Sequence, residues 1–431
     1  MKERNSKSET RNSAGASHSS LVTRHCIPRG FRFSATACGL RKTGGLDLAL
    51  LVSDAAASAA AVFTTNRVQA APVRLSREHL RKSRGRMRVI VVNAGNANCS
   101  TGPDGMRAAA ATAAAVAREL GCTAEEVFVC STGVIGVPLR VKKILGSVPA
   151  LARARGSSPG AYAEVTRAIM TTDARPKWAA ARCRMGGKEV RILGCAKGAG
   201  MIAPNMATML AFILTDAAIA PRTLQRGLRA VVARTFNRIT VDGDTSTNDT
   251  VAVLANGVAG TGVRGQGSGV REYRRFAKAL EKVCRKLALA IVADGEGAQR
   301  VVEVAVRGAR STRDAEQVSR TIANSPLVKT ALAGGDPNWG RILAAAGRSG
   351  VDFDPDGASV WMAGLRVYSR GRALPFDERA AHKKLLAPYI SIVVDLGLKA
   401  SHSPLATRHS AVVWTCDFTA AYVDINASYL T

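Results

Sequence analysis

The residues best placed for covalent chemistry lie between Lys197 and Asp216, where Lys-Gly-Ala-Gly-Met-Ile-Ala-Pro-Asn-Met-Ala-Thr runs directly into Met-Leu-Ala-Phe-Ile-Leu. The second half, residues 209–214, is apolar at every position and predicts a strand buried on both faces. Thr208 stands at the join. A hydroxyl at the mouth of a rigid buried strand is held in one geometry, as an acyl-transfer nucleophile must be. Taken by itself, Thr208 reads more readily as an ordinary strand threonine, because β-branched residues are enriched in strands. The available bases sharpen the choice. Histidines fall at 18, 25, 79, 382, 402 and 409. Two are in a polar N-terminal stretch, one is in a basic helix and two flank an apparent surface insertion, so no serine triad is legible. An N-terminal threonine instead supplies its own α-amino group, whose ordinary pKa of about 7.7–8.0 suits proton transfer near neutrality. Thr208 is internal, so this chemistry requires scission between Ala207 and Thr208, by an N-to-O acyl shift if the Ala207 carbonyl is strained against the hydroxyl. Farther upstream, a strand at 126–130 delivers Ser131-Thr132-Gly133-Val134-Ile135-Gly136; a strand ending in Thr-Gly and followed by a turn exposes consecutive backbone N–H groups, which suits an oxyanion and equally reads as a plain turn.

Other elements must position these groups. Strands are predicted at 48–52, 61–65 and 89–92, with a helix and basic turn over 74–88. An Asn- and Gly-dense loop spans 93–102. Asp104 then reads as the N-cap of an alanine-rich helix that closes at Gly121. A helical stretch at 162–170 leads to Thr171-Thr172-Asp173, and another covers 222–236. Residues 240–249 are crowded with aspartates and hydroxyls but lack the glycine and distal glutamate of a calcium loop. They read as a hydrogen-bonded turn, with a metal as the minority reading. Gly260-Thr-Gly-Val-Arg-Gly265 has the G-x-G-x-x-G spacing, yet glycines continue to Gly269 and no helix starts where a pyrophosphate would sit, so it reads as a connector. An amphipathic helix is predicted at 271–287, a strand at 288–292 ending in Asp294-Gly-Glu-Gly297, and further strands at 301–306, 359–362, 390–396 and 412–416. A helix-like run, 341–346, follows Gly334-Gly-Asp-Pro-Asn-Trp-Gly340. Strands alternating with helices place the chain in the α/β or α+β class.

With 431 residues, 47% of them apolar and 5% aromatic, the chain suits about two domains with aliphatic cores. We expect residues 1–26 as a disordered extension, 27–290 as a main domain and 291–431 as a smaller α/β domain. The first 26 residues have no apolar core of a signal peptide, and Glu3 and Glu9 argue against a transit peptide. No apolar run reaches membrane-spanning length. The nine cysteines are odd in number and lack C-x-x-C spacing, so reduced thiols in a cytoplasmic enzyme are expected. The net charge of +29 suggests an anionic partner, but Lys and Arg are scattered, with concentrations at 77–88 and 271–286 and no interleaved aromatics. A solvated basic surface that draws in small anions is therefore expected rather than specific nucleic-acid binding.

Several motifs together resemble the ornithine acetyltransferase (glutamate N-acetyltransferase) family of arginine biosynthesis. They are Lys-Gly-Ala-Gly-Met…Pro-Asn-Met-Ala-Thr-Met-Leu, Ser-Thr-Gly-Val-Ile-Gly, Asn-Ala-Gly-Asn-Ala-Asn, Thr-Thr-Asp, Asp-Gly-Glu-Gly and Gly-Gly-Asp-Pro-Asn-Trp-Gly-Arg. The resemblance runs from about Gly30 to the end. It implies an αββα-type core like that of N-terminal-nucleophile enzymes and self-cleavage between Ala207 and Thr208. The resulting chains, 1–207 and 208–431, would assemble as an α2β2 heterotetramer. It further implies that Thr208 carries acetyl from N-acetylornithine to glutamate in a ping-pong cycle, with no cofactor, no metal and no membrane partner. Some members also take acetyl from acetyl-CoA, and no residue here decides that. By the same resemblance, Thr132 and Gly133 form the oxyanion hole. Substrate contacts fall to Thr171 or Thr172, Lys197, Thr208, Glu296, Asn426 and Thr431. Lys197 would pair with a substrate carboxylate and Glu296 with the ornithine ammonium, while Asn426 and Thr431 would close the pocket. Three stretches depart from the family pattern: residues 174–195, an apparent insertion at 399–408, and the N-terminal extension. The alternatives are a related self-cleaving aminopeptidase or amidohydrolase, with water as acceptor, and a basic nucleic-acid-binding protein.

Overall fold

Residues of alternate parity along the strands face different layers, and this alternation sets the architecture. The computed structural model describes residues 23–203, 209–260, 262–263, 269–397 and 409–427. The expectations for Ala207, Thr208, Thr431, residues 1–22 and residues 399–408 lie outside the described residues. In chain order the first elements are β1 (Phe31–Thr36), β2 (Leu48–Phe63), α1 (Ala71–Lys82), β3 (Arg86–Asn96), α2 (Gly102–Leu120), β4 (Val127–Val134), α3 (Val141–Arg153) and α4 (Pro159–Ala168). Next come β5 (Lys177–Met185), β6 (Lys188–Lys197), β7 (Leu210–Thr215), β8 (Ala218–Ile219), α5 (Pro221–Arg234), β9 (Thr250–Ala255), β10 (Gly262–Val263) and α6 (Gly269–Ala293). The remainder is β11 (Val301–Ala309), α7 (Thr312–Ala323), α8 (Pro326–Ala333), α9 (Trp339–Gly347), β12 (Ser359–Met362), β13 (Leu365–Ser369), β14 (Arg372–Ala373), α10 (Glu378–Leu385), β15 (Tyr389–Asp395), β16 (His409–Cys416) and α11 (Ala420–Ala427).

The spine of the larger sheet is β2. Its first half pairs with β1 and β3; after a register shift between Val52 and Ala57, its second half pairs with β9. The order β4-β3-β2-β9-β7-β6-β5 therefore bends over on itself. Phe33, Ile90 and Phe128 from one half share a core with Leu193, Phe212 and Leu254 from the other. Residues of the opposite parity face outwards. Val89, Val91 and Val127 pack against α1, α2 and α3, while Ile192, Ile213 and Val253 pack against α5 and α6. The layers run helix, sheet, sheet, helix, the αββα arrangement expected from the family resemblance. The smaller sheet, β14-β13-β12-β15-β11-β16, is covered by α7, α8 and α9. Trp414 and Cys416 of β16 join the core beneath α6, which couples the two sheets.

Three sequence expectations need correction. The two short strands expected at 48–52 and 61–65 are one bent strand, because the alanines between them are small enough to continue the pleat through the fold. Residues 288–292 are not a strand but the last turns of α6. Leu287, Ala288, Ile291 and Val292 are buried at helical spacing, and no glycine or proline interrupts the helix before Ala293. Asp104 is not an N-cap: Thr101 holds that position, and Asp104 sits in the first turn, where its charge suits the helix N-terminus. Gly121 does end α2, in the left-handed conformation at φ 61°.

Phe212 lies fully buried between the two sheet halves. Phe212→Ala is expected to cost about 3–5 kcal/mol in chemical denaturation, while Leu386→Ala on the exposed surface stays within about 0.5 kcal/mol.

Candidate active site

Two glycines in contact build one wall of the site. Near the ends of the parallel strands β3 and β4, Gly95 faces Gly133, and the register becomes irregular at that point. Gly133 adopts φ 132°, and a Cβ there would stand 2.3 Å from the Gly95 carbonyl carbon and 2.5 Å from the Asn96 nitrogen. Only glycine fits. Buried amides hold this wall. Ser131 Oγ donates to Asn93 Oδ1 at 2.6 Å, and Asn93 Nδ2 donates to the Asn96 carbonyl at 2.9 Å. Asn248 Nδ2 donates to the carbonyls of Ala97 and Ser131, at 2.7 and 2.9 Å, tying the 246–249 loop to both strand ends. Thr132 and Gly133 are thereby presented to a cavity of about 260 Å³.

The opposite wall is charged. Lys197, the last residue of β6, is 2% exposed, and its Nζ lies 3.9 Å from Asp173 Oδ2. Burial lowers its pKa, while Asp173 opposes that shift and Lys177 adds to it. Asp173 is the hub. It accepts from the amides of Thr171 at 2.9 Å and Gly198 at 2.7 Å, and from Lys177 Nζ at 2.6 Å. Burial alone would raise its carboxyl pKa; Lys197, Lys177 and the Gly198 amide outweigh burial and hold it at about 2. Lys177 Nζ also donates to Asp294 Oδ2 at 2.5 Å. Asp294 in turn accepts from the amides of Ala174 and Arg175, so one buried ammonium joins the 171–175 loop to the turn that carries Glu296.

Glu296 reaches over Gly200, where a Cβ would lie 2.2 Å from its Oε2. The Glu296 amide donates to the Ala199 carbonyl at 3.0 Å, and Asn426 Nδ2 donates to Glu296 Oε2 at 2.8 Å. Thus Thr132, Gly133, Thr171, Thr172, Lys197, Glu296 and Asn426, from five separate segments, line one cavity. Thr171 and Thr172 both line it.

Sequence reasoning assigned no role at the cavity to Ser246, Thr247 and Asn248, which also line it. Their density of hydroxyls and amides was the one available signal. The aspartates of that loop point to different amides. Asp242 accepts from Met201 at 2.5 Å and Ile202 at 2.8 Å, while Asp249 accepts from Met209 at 2.7 Å. Among the described residues, no cluster of three or more His, Cys, Asp or Glu has a metal-holding arrangement. Asp249 is fully buried, and among the described residues its second oxygen has no hydrogen-bond partner. Burial pushes its carboxyl pKa well above the ordinary range, against the pull of the Met209 amide and Lys197. The described histidines stand elsewhere: among them His79 bonds the Val127 carbonyl, His382 that of Gly335, and His409 pairs with Thr312. Cys130 is a buried core residue whose thiol is pushed up to about 12 by burial.

Two outcomes follow from the charged wall. Lys177→Met leaves two buried carboxylates without their shared cation and is expected to cost about 3–5 kcal/mol in chemical denaturation. Asp173 is held at about 2 against an ordinary 3.8, so its contribution is present above pH 3.8 and lost as pH falls towards 2. Wild-type stability should decline by about 2 kcal/mol across that window, and Asp173→Asn should remove this part of the pH dependence.

The ArgJ family model matches residues 32–431. The arginine biosynthesis bifunctional protein ArgJ of Geobacter sulfurreducens is 48% identical over 405 residues, covering 94% of this chain and 99% of its own length. The protein of the same name from Chlorobaculum tepidum is 45% identical over 402 residues, covering 93% and 96%. Among solved structures, ArgJ from Bacillus halodurans shares 38% identity at a TM-score of 0.46, covering 50% of this chain and 96% of that one. An ornithine acetyltransferase complexed with ornithine, from Mycobacterium tuberculosis, shares 37% at a TM-score of 0.36, covering 41% and 92%. With the family model spanning nearly the whole chain and relatives this similar over their full length, the chain belongs to the ArgJ family.

Proposed function

We propose that this chain is a glutamate N-acetyltransferase of arginine biosynthesis that moves acetyl from N-acetylornithine to glutamate through an acetyl ester on Thr208. The observation that carries the reading is the cavity itself, where the Thr132-Gly133 wall faces Lys197 and Glu296, one basic and one acidic side chain. An N-acetylated amino acid needs such a set: donors for the acetyl oxygen, a cation for the α-carboxylate and an anion for an ammonium.

In this reading the chain first cuts itself between Ala207 and Thr208, freeing the α-amino group of Thr208. That amine takes the hydroxyl proton as the Thr208 oxygen attacks the acetamide carbonyl, and the developing oxyanion is stabilised at Thr132 and Gly133. Collapse breaks the C–N bond, the proton passes to the departing nitrogen, and ornithine leaves. Glutamate then attacks the ester with its amino group, which returns the proton to the Thr208 oxygen and releases N-acetylglutamate. Thr171, Thr172, Lys197, Glu296, Asn426 and Thr431 bind substrate. Lys197 takes the α-carboxylate shared by both substrates; its ion pair with Asp173 is long, at 3.9 Å, and Asp249 and Glu296 also favour its charged form against burial. The cycle requires no cofactor, and acetyl-CoA serves as a second acetyl donor if the enzyme is bifunctional. The cleaved chains assemble as α2β2 in the cytoplasm. Among the described residues no helix is long and apolar enough to cross a membrane.

Mass measurement of the purified protein tests the first step. Wild type is expected as two fragments meeting at Ala207/Thr208 and Thr208→Ala as one uncut, inactive chain; an uncut yet active wild type would exclude the mechanism. Lys197→Ala and Glu296→Ala should be cleaved normally but show a KM for N-acetylornithine raised about 10- to 100-fold, the worth of a charge-assisted contact.

A further inference from the structure

The basic stretch at 77–88 and the first turns of α5 are far apart in sequence, yet the fold brings their arginines into one groove. Arg81 and Arg84 come from the end of α1 and the turn after it; Arg222, Arg226 and Arg229 come from α5. The groove measures about 1000 Å³, and among the described residues no carboxylate lines it. None of the five guanidinium groups has a hydrogen bond or ion pair among the described residues. Several arginines elsewhere are matched: Arg234 pairs with Glu281, Arg238 with Glu316 and Arg300 with Asp417.

The juxtaposition is built in. Gly85 has φ 74°, and a Cβ there would lie 2.8 Å from Pro221 Cβ, so the turn after α1 abuts the start of α5 directly. Gln225 clamps α5 to β2, accepting from the Ala61 amide at 3.1 Å and donating to the Ala61 carbonyl at 2.9 Å. The first turn of α5 has no side-chain cap and no acidic residue, so its free N–H groups add to the positive potential. Arg222 and Arg226 stand four apart, and Arg226 and Arg229 three apart, spacings at which like charges oppose each other on a helix. A multivalent anion relieves that repulsion.

We propose that this groove binds an oligophosphate group, the di- or triphosphate chain of a small molecule. Guanidinium forks match phosphate oxygens in pairs, and five of them around one groove suit several linked phosphates better than a single carboxylate. Among the described residues no aromatic side chain lines the groove to stack nucleobases, which disfavours a nucleic-acid strand. The site is separate from the catalytic cavity. Gly85 in the groove precedes the first residue of β3 and Ala97 in the cavity follows its last, and the 11 residues between span roughly 35 Å of extended chain.

Calorimetric titration of the full-length protein with inorganic tripolyphosphate tests this without reference to turnover. Saturable binding is expected, weakening as salt rises to about 0.15 M. Arg222→Gln/Arg226→Gln and, separately, Arg81→Gln/Arg84→Gln should each lower affinity about tenfold or more. The charge-matched control Arg274→Gln/Arg275→Gln on α6 should not, and acetyl transfer should be unchanged in all three. Absence of binding, equal affinity in wild type and both groove variants, or equal loss in the control would overturn the proposal. So would a single-stranded oligonucleotide that binds the groove more tightly than tripolyphosphate.

Discussion

A single buried ammonium organises the polar half of this protein. Lys177 Nζ sits between Asp173 and Asp294 at 2.6 and 2.5 Å, with all three side chains almost fully buried. Such a group is tolerable only when its charge is matched and its donors are used. Both conditions hold: Asp173 and Asp294 take further bonds from backbone amides, and Lys197 adds a second cation beside Asp173. The consequence is positional. The 171–175 loop, the Lys197–Gly198 strand end and the 294–296 turn, which otherwise belong to separate elements, are locked to one centre. Lys197 and Glu296 face the same cavity because their supports share Lys177.

The apolar half is governed by a different constraint, the doubling of one sheet. Because β2 bends and pairs with β3 along one half and β9 along the other, β3 and β4 lie across a shared core from β6, β7 and β9. That core fills the gap between the layers and leaves their polar ends to meet at the rim. The Gly95–Gly133 contact and the amides of Asn93 and Asn248 finish the rim from one side, and the Lys177 centre finishes it from the other. Asp249 bridges the two regimes. It is fully buried yet holds the Met209 amide at the entry to β7, and its burial favours the protonated form.

The excess of positive charge is not uniform either. At the catalytic cavity Lys197, and behind it Lys177, have carboxylates at hand, so the field there is local and balanced. On the arginine groove beside α5 it is unbalanced, and the two cavities differ in chemistry as well as place. A sequence read linearly shows these arginines partly in the basic stretch at 77–88 and partly in a helix at 222–236, which is why they appear scattered there.

What the sequence determined by itself was whatever short-range pattern controls. The wholly apolar run before Asp216 is a strand buried at every position, Gly121 ends its helix, and strands at 89–92, 301–306 and 412–416 appear where alternation or apolar runs require them. The family motifs around Thr132, Lys197 and Glu296 were legible too, because they are contiguous words. Only the tertiary structure decided what depends on separate segments meeting. The joining of two expected strands into β2 and the continuation of α6 through 288–292 follow from what each packs against, which periodicity over five residues cannot distinguish. Lys177 lay in a stretch that matched no pattern, and nothing local marks a lysine as buried: its environment comes from Asp173, four residues before it, and from Asp294, 117 residues after it. Burial and charge pairing are properties of three-dimensional neighbourhoods. For that reason the chemistry of this chain was readable in one dimension and its support was not.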